Sequence, residues 1–338
     1  MRNASEAKPA KTVVLVSPAL RDANNGNWHT ARRWAQCLSG HARTALLLQW
    51  PPSPHPTDSD AMVALHARRS ALSIENWARQ CPGKPLIVVL TGTDLYRDIH
   101  ENAPSRQSLA LATHLVVLQE DGLQALPAAL RNKTRVIYQS ARPLKPAFKP
   151  VRHLRAVMVG HLRDEKDPLT FMRAAARLAA ESAAGEKRIL FDHIGDALTS
   201  DLALAASAAE KAAPGYRWLG GLPQAQTREH IKHAHVLVNS SRMEGGAQVI
   251  GQAIQSGTPV LASRISGNIG MLGTDYTGYF PVGDDAALAL LLQRCAAEPG
   301  FLAQLEHQCN QRAHLLEPGK EERLVLNLVL SALHPAQP

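Results

Sequence analysis

The feature that most constrains the fold of this chain is a strand, turn, helix and strand between residues 235 and 262. Apolar runs at 235–238 and 260–262 predict two buried strands. Between them, apolar residues recur on one face of a helix that ends at Gly257: Val249, Ile250, Ala253 and Ile254. A helix that joins two buried strands is the crossover unit of a parallel sheet, so this segment predicts an α/β fold.

The start of this helix carries residues that suit a ligand with both phosphate and hydroxyl groups. Gly245 and Gly246 leave the backbone N–H groups of a helix N-terminus open, where the helix dipole favours a phosphate. Glu244 repels a phosphate but accepts hydrogen bonds from hydroxyls, and Gln252 follows about 12 Å further along the axis. A sugar joined through a diphosphate to a ribose has these groups at this spacing. The alternative is an ordinary acidic residue beside a tight glycine turn.

Length and composition limit the class of protein. At 338 residues the chain is long enough for two domains, and a hydrophobic share of 45% is typical of a globular protein. No apolar run approaches the ~18 residues of a membrane helix and residues 1–10 are polar, so we expect a cytoplasmic protein without membrane partners. The cysteines lack the spacing of a metal site and no Asp-x-Asp pair is recognised, so we expect no metal or other cofactor.

The net charge of +8 indicates anionic partners. Nucleic acid is disfavoured, because aromatic residues make up only 4% of the chain and the basic residues form no single stripe. Nucleotide sugars and small phosphates explain the charge equally well. The sequence specifies no oligomeric state.

Residues 12–140 alternate strands with helices, which predicts a doubly wound domain that binds ligands at the carboxyl ends of its strands. Polar loops follow three of these strands. Their candidate residues are Arg21, Asn25, Gly26, Asn27, His29, His66, Arg68, Thr93 and Asp94. The alternatives are a plain Asn-Gly turn, a structural histidine and, for Asp94, a helix cap. No general base with an orienting partner is recognisable among these residues.

A second series of strands and helices begins at residue 155, after a proline-rich linker at 141–153. His161, Arg163 and Lys166 follow its first strand, in a loop that either binds an anion or is simply solvated. Residues 263–270 predict a glycine-rich loop at the same edge of the sheet. We therefore expect a flexible tail at 1–10, domains at 11–145 and 146–316, and a C-terminal helix at 317–338.

These motifs resemble those of GT-B glycosyltransferases of family 4. The run from Glu244 to Gln252, with Ser-Gly-Thr-Pro-Val at 256–260, is similar to the family's Glu-x7-Glu segment, although Gln252 replaces the second glutamate. The loop at 160–168 is similar to the family's diphosphate-binding element, although His161 replaces its arginine. The resemblance implies two Rossmann-like domains that face a cleft, with a C-terminal helix that crosses back to the first domain.

The same resemblance implies the roles of the residues in the second domain. Glu244 contacts the donor sugar, Gln252 contacts the ribose, and Lys166 holds the diphosphate, while Arg163 supplies the missing guanidinium. Further donor-binding positions are His161, Arg242, Gly245, Gly246, Ala247 and Gln248.

A narrower resemblance rests on four segments: Asn-Gly-Asn-Trp-His-Thr-Ala at 25–31, Leu-Thr-Gly-Thr-Asp-Leu-Tyr-Arg-Asp at 90–98, Val-Gly-His-Leu-Arg-Asp-Glu-Lys-Asp-Pro at 159–168 and Ser-Arg-Met-Glu-Gly-Gly-Ala-Gln-Val at 241–249. Together they are similar to the selenosugar synthases of the selenoneine pathway, which join the sugar of UDP-GlcNAc or UDP-glucose to selenophosphate. Selenophosphate is already an anion, so its binding calls for a cationic pocket in the first domain rather than a general base. The alternatives are a family 4 enzyme with an oxygen acceptor and a nucleotide-sugar-binding protein without turnover.

Overall fold

A computed structural model describes residues 11–20, 26–51, 58–181 and 187–334 of the chain. The contacts between residues divide the chain into two units, one formed by residues 1–138 with 319–338 and the other by residues 139–318. Residues 141–144 belong to the second unit, because Ala141 N–H donates to Leu316 O and Leu144 N–H donates to Gln255 O.

The first unit is built on six parallel strands in the order β2-β1-β3-β4-β5-β6. The strands are β1 Thr12–Val16, β2 Arg43–Leu47, β3 Ala61–Leu65, β4 Leu86–Leu90, β5 His114–Val117 and β6 Thr134–Val136. The helices between them are α1 Gly26–Leu38, α2 Ala71–Gln80, α3 Ile99–Glu101, α4 Ala103–Leu111 and α5 Ala128–Arg131, with a π helix at Asp94–Asp98 and a 3-10 helix at Glu120–Leu123. Strands β3 and β4 are apolar throughout because the central strands are buried on both faces.

The last helix of the chain, Pro318–Leu333, packs onto the first unit. Its residues Val325 and Val329 lie in the same core cluster as Leu15 of β1. The carboxylate of Glu321 is 1% exposed and accepts hydrogen bonds from Arg33 Nε at 2.7 Å and Trp34 Nε1 at 3.1 Å. These contacts join the C-terminal helix to α1, the first helix of the chain.

The second unit also has six parallel strands, in the order β12-β11-β10-β7-β8-β9. The strands are β7 His153–Val159, β8 Arg188–Ile194, β9 Tyr216–Trp218, β10 Val236–Asn239, β11 Val260–Ser263 and β12 Tyr279–Phe280. The helices are α6 Pro168–Glu181, α7 Ser200–Ala212, α8 Gln224–His233, α9 Gln248–Ile254, α10 Ser266–Leu272, α11 Asp285–Ala297 and α12 Pro299–Arg312, with 3-10 helices at Asp164–Lys166 and Ala313–Leu316; the C-terminal helix Pro318–Leu333 is α13.

The order of the central strands determines which loops meet. Leu237 pairs with Val260 and Val238 pairs with Met158, so β10 lies between β11 and β7. The loops that leave the carboxyl ends of these three strands therefore start side by side, at the edge where doubly wound sheets bind ligands.

One element differs from the sequence prediction. Residues 263–270 were expected to form a glycine-rich loop, but α10 begins at Ser266. A Cβ at Gly267 would lie 2.0 Å from Glu244 O. Glycine is therefore needed at position 267 because the helix passes close to the backbone of the neighbouring loop. The sequence pattern does not distinguish such a glycine from one in a turn.

Within the described ranges, no single helix combines the length and the apolar character needed to cross a membrane. The bent pair formed by α11 and the stretch Pro299–Leu333 meets these two criteria by length and composition.

Candidate functional site

The centre of the candidate site is an ion pair between Lys166 and Glu244. Lys166 Nζ lies 2.5 Å from Glu244 Oε1, and the two side chains are 17% and 10% exposed. Lys166 comes from the loop after β7 and Glu244 from the loop after β10, which are adjacent strands. The pairing of the strands thus brings together two side chains that are far apart in the sequence.

Backbone contacts fix the position of Lys166. Ser240, directly after β10, donates through Oγ to the carbonyls of Lys166 at 3.1 Å and of Asp167 at 2.9 Å. The stem of Lys166 lies over Gly160, where a Cβ would be 3.4 Å from Lys166 Cδ. Asp167 has a φ of 45°, in the left-handed region, and accepts a hydrogen bond from Thr170 Oγ1 at 2.8 Å. The turn that presents the lysine is therefore held on three sides.

A buried polar network holds Glu244. Ser241 Oγ donates to Glu244 Oε1 at 2.6 Å, and Asn239 Nδ2 approaches the same oxygen at 3.5 Å. Ser263 Oγ donates to the carbonyl of Ser241, and Asn268 Nδ2 donates to Ser263 Oγ at 3.1 Å. Asn239, Ser241, Ser263 and Asn268 are each less than 5% exposed. Three strand ends and α10 together fix the carboxylate.

This arrangement keeps Glu244 ionised. Burial raises the pKa of its carboxyl, but Lys166, the hydroxyl of Ser241 and the charge of Arg163 outweigh burial, so the pKa lies below its ordinary value. The ion pair and both hydrogen bonds fall on Oε1. The described residues donate no hydrogen bond to Oε2, and a carboxylate oxygen of this kind can accept two from the hydroxyls of a sugar.

Gly245, Gly246 and Gln252 have the environment that suits a ligand site. Within the described part of the chain, no residue accepts a hydrogen bond from the N–H of Gly245 or Gly246, which precede α9. Ala247 is buried and Gln248 is the first residue of α9. Gln252 is 8% exposed, and its side-chain amide makes no hydrogen bond with a described residue.

The other basic residues of this unit have weaker attachments. Arg163 is 40% exposed and lies 3.8 Å from Glu165, and Arg242 is 57% exposed with Asp167 at 3.4 Å. His161 Nδ1 accepts a hydrogen bond from Asp196 N–H at 3.3 Å. The charge of Arg163 lowers the pKa of the Glu244 carboxyl.

The candidate residues of the first unit fall into separate groups. Arg21 and Asn25 lie outside the described residues. Gly26 and Asn27 begin α1, and burial together with Arg33 and Arg32 lowers the pKa of His29.

The second of these groups joins the loops after β3 and β4. His66 Nε2 lies 3.0 Å from Thr93 Oγ1, and Arg68 Nε donates to Asp98 at 2.7 Å. Asp94 is fully buried and accepts hydrogen bonds from the N–H groups of Ala67, Thr91 and Gly92. These residues were expected to bind an acceptor, which stays a prediction; the structure shows that Asp94 and His66 also make supporting contacts inside the unit.

Sequence reasoning missed several residues of these networks. Ser241 stands directly before the Arg-Met-Glu motif, which is a signal that could have identified it; Asn268 and Asp98 carry no such signal. The expectation of no metal also left out Asp58 and Asp60, which form an Asp-x-Asp sequence before β3. Asp60 accepts hydrogen bonds from Lys11 Nζ and Thr12 N–H, each at 2.8 Å. Within the described ranges there is no group of three or more side chains that could hold a metal ion.

A cavity of about 590 Å³ lies elsewhere in the second unit. It is lined by residues of α6, of the amino end of β8 and of α11, among them Leu178, Phe191 and Ala296. Lys166 and Glu244 do not line it, and its charged lining residues are Lys187 and Arg188. The polar groups at the carboxyl ends of the strands are the better candidate for a functional site, because charged and hydroxyl-bearing side chains converge there.

The sequence and the fold of this chain are both similar to those of known proteins. The model of the family described as "Glycosyl transferases group 1" matches residues 145–315, which contain Lys166, Glu244 and Gln252. HepE of Anabaena, solved with UDP-glucose, is 15% identical to the chain with a TM-score of 0.76, over 96% of this chain and 100% of that one. Sucrose-phosphate synthase of Thermosynechococcus elongatus is 16% identical with a TM-score of 0.75, over 97% and 100%.

A third similar structure is the pneumococcal O-GlcNAc transferase GtfA, solved with UDP and GlcNAc. It is 16% identical with a TM-score of 0.65, over 81% of this chain and 57% of that one. At these identities the likeness concerns the fold, and the predicted GT-B fold is confirmed.

Proposed function

The chain belongs to the group 1 glycosyl transferases, whose family model matches half of it, and we propose that it is a family 4 enzyme that transfers a sugar from a UDP-sugar to selenophosphate. The donor is UDP-GlcNAc or UDP-glucose, and the products are a selenosugar, UDP and phosphate. The observation that carries the proposal is the buried pair of Lys166 and Glu244, which offers one cation and one carboxylate oxygen at the same edge of the sheet.

The second unit binds the donor. Glu244 Oε2 accepts hydrogen bonds from hydroxyls of the sugar, while the network of Ser241 and Asn239 holds the carboxylate in place. The N–H groups of Gly245 and Gly246 donate to the diphosphate, and the amide of Gln252 binds the ribose hydroxyls without the help of a charge. The likeness to HepE and GtfA, which were solved with UDP-glucose and with UDP and GlcNAc, supports this choice of donor.

Positive charge drives the departure of UDP. Lys166 and Arg163 stabilise the negative charge that develops on the diphosphate as the bond to the sugar breaks. Lys166 forms an ion pair with Glu244, which holds its ammonium in position, so little reorganisation is needed when the donor binds. His161 and Arg242 flank the same loops.

The acceptor supplies its own nucleophile. Selenium attacks the anomeric carbon, the carbon–oxygen bond to UDP breaks, and the electron pair of that bond leaves with UDP. A water molecule then attacks phosphorus, the phosphorus–selenium bond breaks, and phosphate and the selenosugar are released. No step removes a proton from the attacking selenium, which is consistent with a first unit in which His66 and Asp94 are occupied by internal hydrogen bonds. The loops after β1, β3 and β4 bind selenophosphate.

Mass spectrometry tests this proposal. The protein is incubated with UDP-GlcNAc and a selenophosphate-generating system, and UDP release is followed together with products that show the isotope pattern of selenium. We expect a selenium-containing sugar with wild type, also in the presence of EDTA, and its loss in Glu244→Gln and Lys166→Met. Lys211→Met, which changes an exposed lysine of α7, serves as the control. Release of UDP only when an alcohol is offered would refute the selenium acceptor and indicate an oxygen acceptor.

A further inference from the structure

The loops after β3 and β4 contain a histidine in an unusual backbone conformation. His66 has a φ of 71°, in the left-handed region that a residue other than glycine rarely adopts, and it is 3% exposed. Its ring meets the hydroxyl of Thr93, which is only partly buried, with 3.0 Å between Nε2 and Oγ1. A strained and buried residue next to a partly exposed hydroxyl indicates that the position of the hydroxyl matters.

One buried carboxylate fixes both loops. Asp94 Oδ2 accepts from Ala67 N–H at 2.9 Å, directly after the histidine. Asp94 Oδ1 accepts from the N–H groups of Thr91 at 2.9 Å and Gly92 at 2.8 Å, directly before the threonine. The spacing between the histidine and the hydroxyl is therefore set by Asp94, although Asp94 is not hydrogen-bonded to the ring, since Oδ2 lies 3.9 Å from Nδ1.

The hydrogen bonds of the ring determine its tautomer. His66 Nδ1 accepts a hydrogen bond from Arg69 N–H at 3.4 Å, so this nitrogen carries no proton. Burial lowers the pKa of His66, and the charges of Arg68 and Arg69 act in the same direction while Asp94 and Asp98 oppose them, so the ring is neutral. A neutral ring with an accepting Nδ1 has its proton on Nε2, which donates to Thr93 Oγ1.

The direction of the threonine hydroxyl follows from this tautomer. Oγ1 accepts the hydrogen bond from His66 Nε2, so its own O–H is free to donate, and within the described ranges it makes no second hydrogen bond. Because the threonine oxygen already accepts a hydrogen bond, its O–H is directed at a ligand atom that only accepts hydrogen bonds, such as a phosphoryl oxygen. Arg68 on the same loop is held by an ion pair with Asp98.

We propose that Thr93 donates a hydrogen bond to an oxygen of an anionic, phosphate-like acceptor and that His66 is a positioning residue that fixes the direction of this donor. The proposal rests on the proposed function, because it names the group that recognises the acceptor. It also assigns His66 no role as a general base, because one ring nitrogen carries the proton and the other accepts Arg69 N–H. An acceptor that must lose a proton to react gains nothing from such a residue, whereas selenophosphate needs no base.

Binding of thiophosphate tests the proposal without turnover. Protein saturated with UDP is titrated with inorganic thiophosphate in a calorimeter. We expect Thr93→Val to weaken binding at least about tenfold, because a hydrogen bond to a charged group is lost, and Thr93→Ser to stay within about threefold of wild type. His66→Asn should weaken binding as Thr93→Val does, because asparagine tolerates the left-handed backbone but cannot reach Oγ1. The double variant should lose no more than either single variant. Equal binding by Thr93→Val and wild type would overturn the proposal, as would losses that multiply in the double variant.

A spectroscopic measurement on the wild-type protein keeps the proposal testable if a variant fails to fold. In a ¹⁵N-histidine spectrum we expect the ring proton of His66 on Nε2, whereas a proton on Nδ1 would overturn the proposal.

The outcomes also distinguish failure of this inference from failure of the proposed function. Thiophosphate binding that depends on Thr93, without any selenium product, would refute the proposed function alone. A selenium product whose yield and acceptor KM are unchanged in Thr93→Val would refute this inference alone.

Discussion

Replacement of Lys166 with methionine tests how strongly Glu244 depends on its ion pair. Methionine retains much of the apolar stem and removes the ammonium, so Glu244 keeps the hydrogen bonds of Ser241 and Asn239 but loses its cation. Removal of one partner from a buried pair costs about 3–5 kcal/mol, whereas an exposed pair is worth about 0.2–1 kcal/mol. The side chains are 17% and 10% exposed, so we expect a loss of about 3 kcal/mol in the free energy of unfolding of the second unit.

A double-mutant cycle isolates the pair. Glu244→Gln removes the negative charge of the pair. The double variant Lys166→Met/Glu244→Gln therefore contains neither an unpaired buried ammonium nor an unpaired buried carboxylate. Most of the stability lost in Lys166→Met should therefore return, which gives a coupling energy of at least about 2 kcal/mol.

The assay must report on the second unit alone. Trp218 is the single tryptophan in residues 139–318, and its Nε1 donates to Gly195 O at 2.8 Å. With 5-fluorotryptophan incorporated and the signal assigned by Trp218→Phe, urea unfolding followed by ¹⁹F NMR reads this unit. The control Lys211→Met should change stability by less than about 0.5 kcal/mol. A coupling energy below about 1 kcal/mol would contradict this prediction, because the pair would then behave like one at the surface.

Three further predictions concern other parts of the two units. Gly267→Ala places a Cβ 2.0 Å from a backbone oxygen of the Glu244 loop, so we expect at least a tenfold loss of kcat/KM in a steady-state UDP-release assay. Gly300→Ala serves as the control and should match wild type, because a Cβ at Gly300 would have no atom within 4 Å. Glu321→Ala should destabilise the first unit by about 3 kcal/mol in urea, read from fluorinated tryptophans, because the partly buried Arg33 and the buried Trp34 lose their acceptor. The exposed Glu322→Ala should have no such effect, and equal stabilities of the two variants would contradict this prediction. Burial raises the pKa of the Glu244 carboxyl, but its hydrogen-bond and charge partners outweigh burial, so the folded pKa lies below the ordinary value of 4.5. The contribution of the ionised carboxylate to stability is therefore complete above about pH 4.5 and is lost as pH falls through the folded pKa. Unfolding curves from pH 3 to 7 that show this loss above pH 5 would argue against an ionised, paired carboxylate.

The fold could largely be predicted from the sequence because its signals are local. Runs such as 86–90 are apolar and rich in β-branched residues, and they coincide with strands in the structure. The start of α6 at Pro168 follows from the preference of proline for the first turn of a helix. The helix α10 was missed because Gly267 is glycine for the sake of a backbone contact with another loop, and that contact is not visible in the local pattern.

The candidate site could be predicted as a set of residue types but not as a set of contacts. Lys166 and Glu244 were each expected on chemical grounds, yet their direct ion pair depends on the adjacency of β7 and β10. The same holds for His66, whose left-handed backbone and hydrogen bond to Thr93 depend on Asp94. These relations arise from tertiary structure, and no spacing within one segment encodes them.

The atom that becomes bonded to the anomeric carbon of the sugar distinguishes a selenium acceptor from an oxygen acceptor. UDP-GlcNAc labelled with ¹³C at the anomeric carbon is incubated with the protein and ⁷⁷Se-labelled selenophosphate, and the product is observed by ¹³C NMR. We expect a one-bond coupling between ¹³C and ⁷⁷Se in the product, which disappears when Glu244→Gln replaces the wild-type protein. An anomeric carbon bonded to oxygen, formed with an added alcohol while selenophosphate is left unchanged, would contradict it.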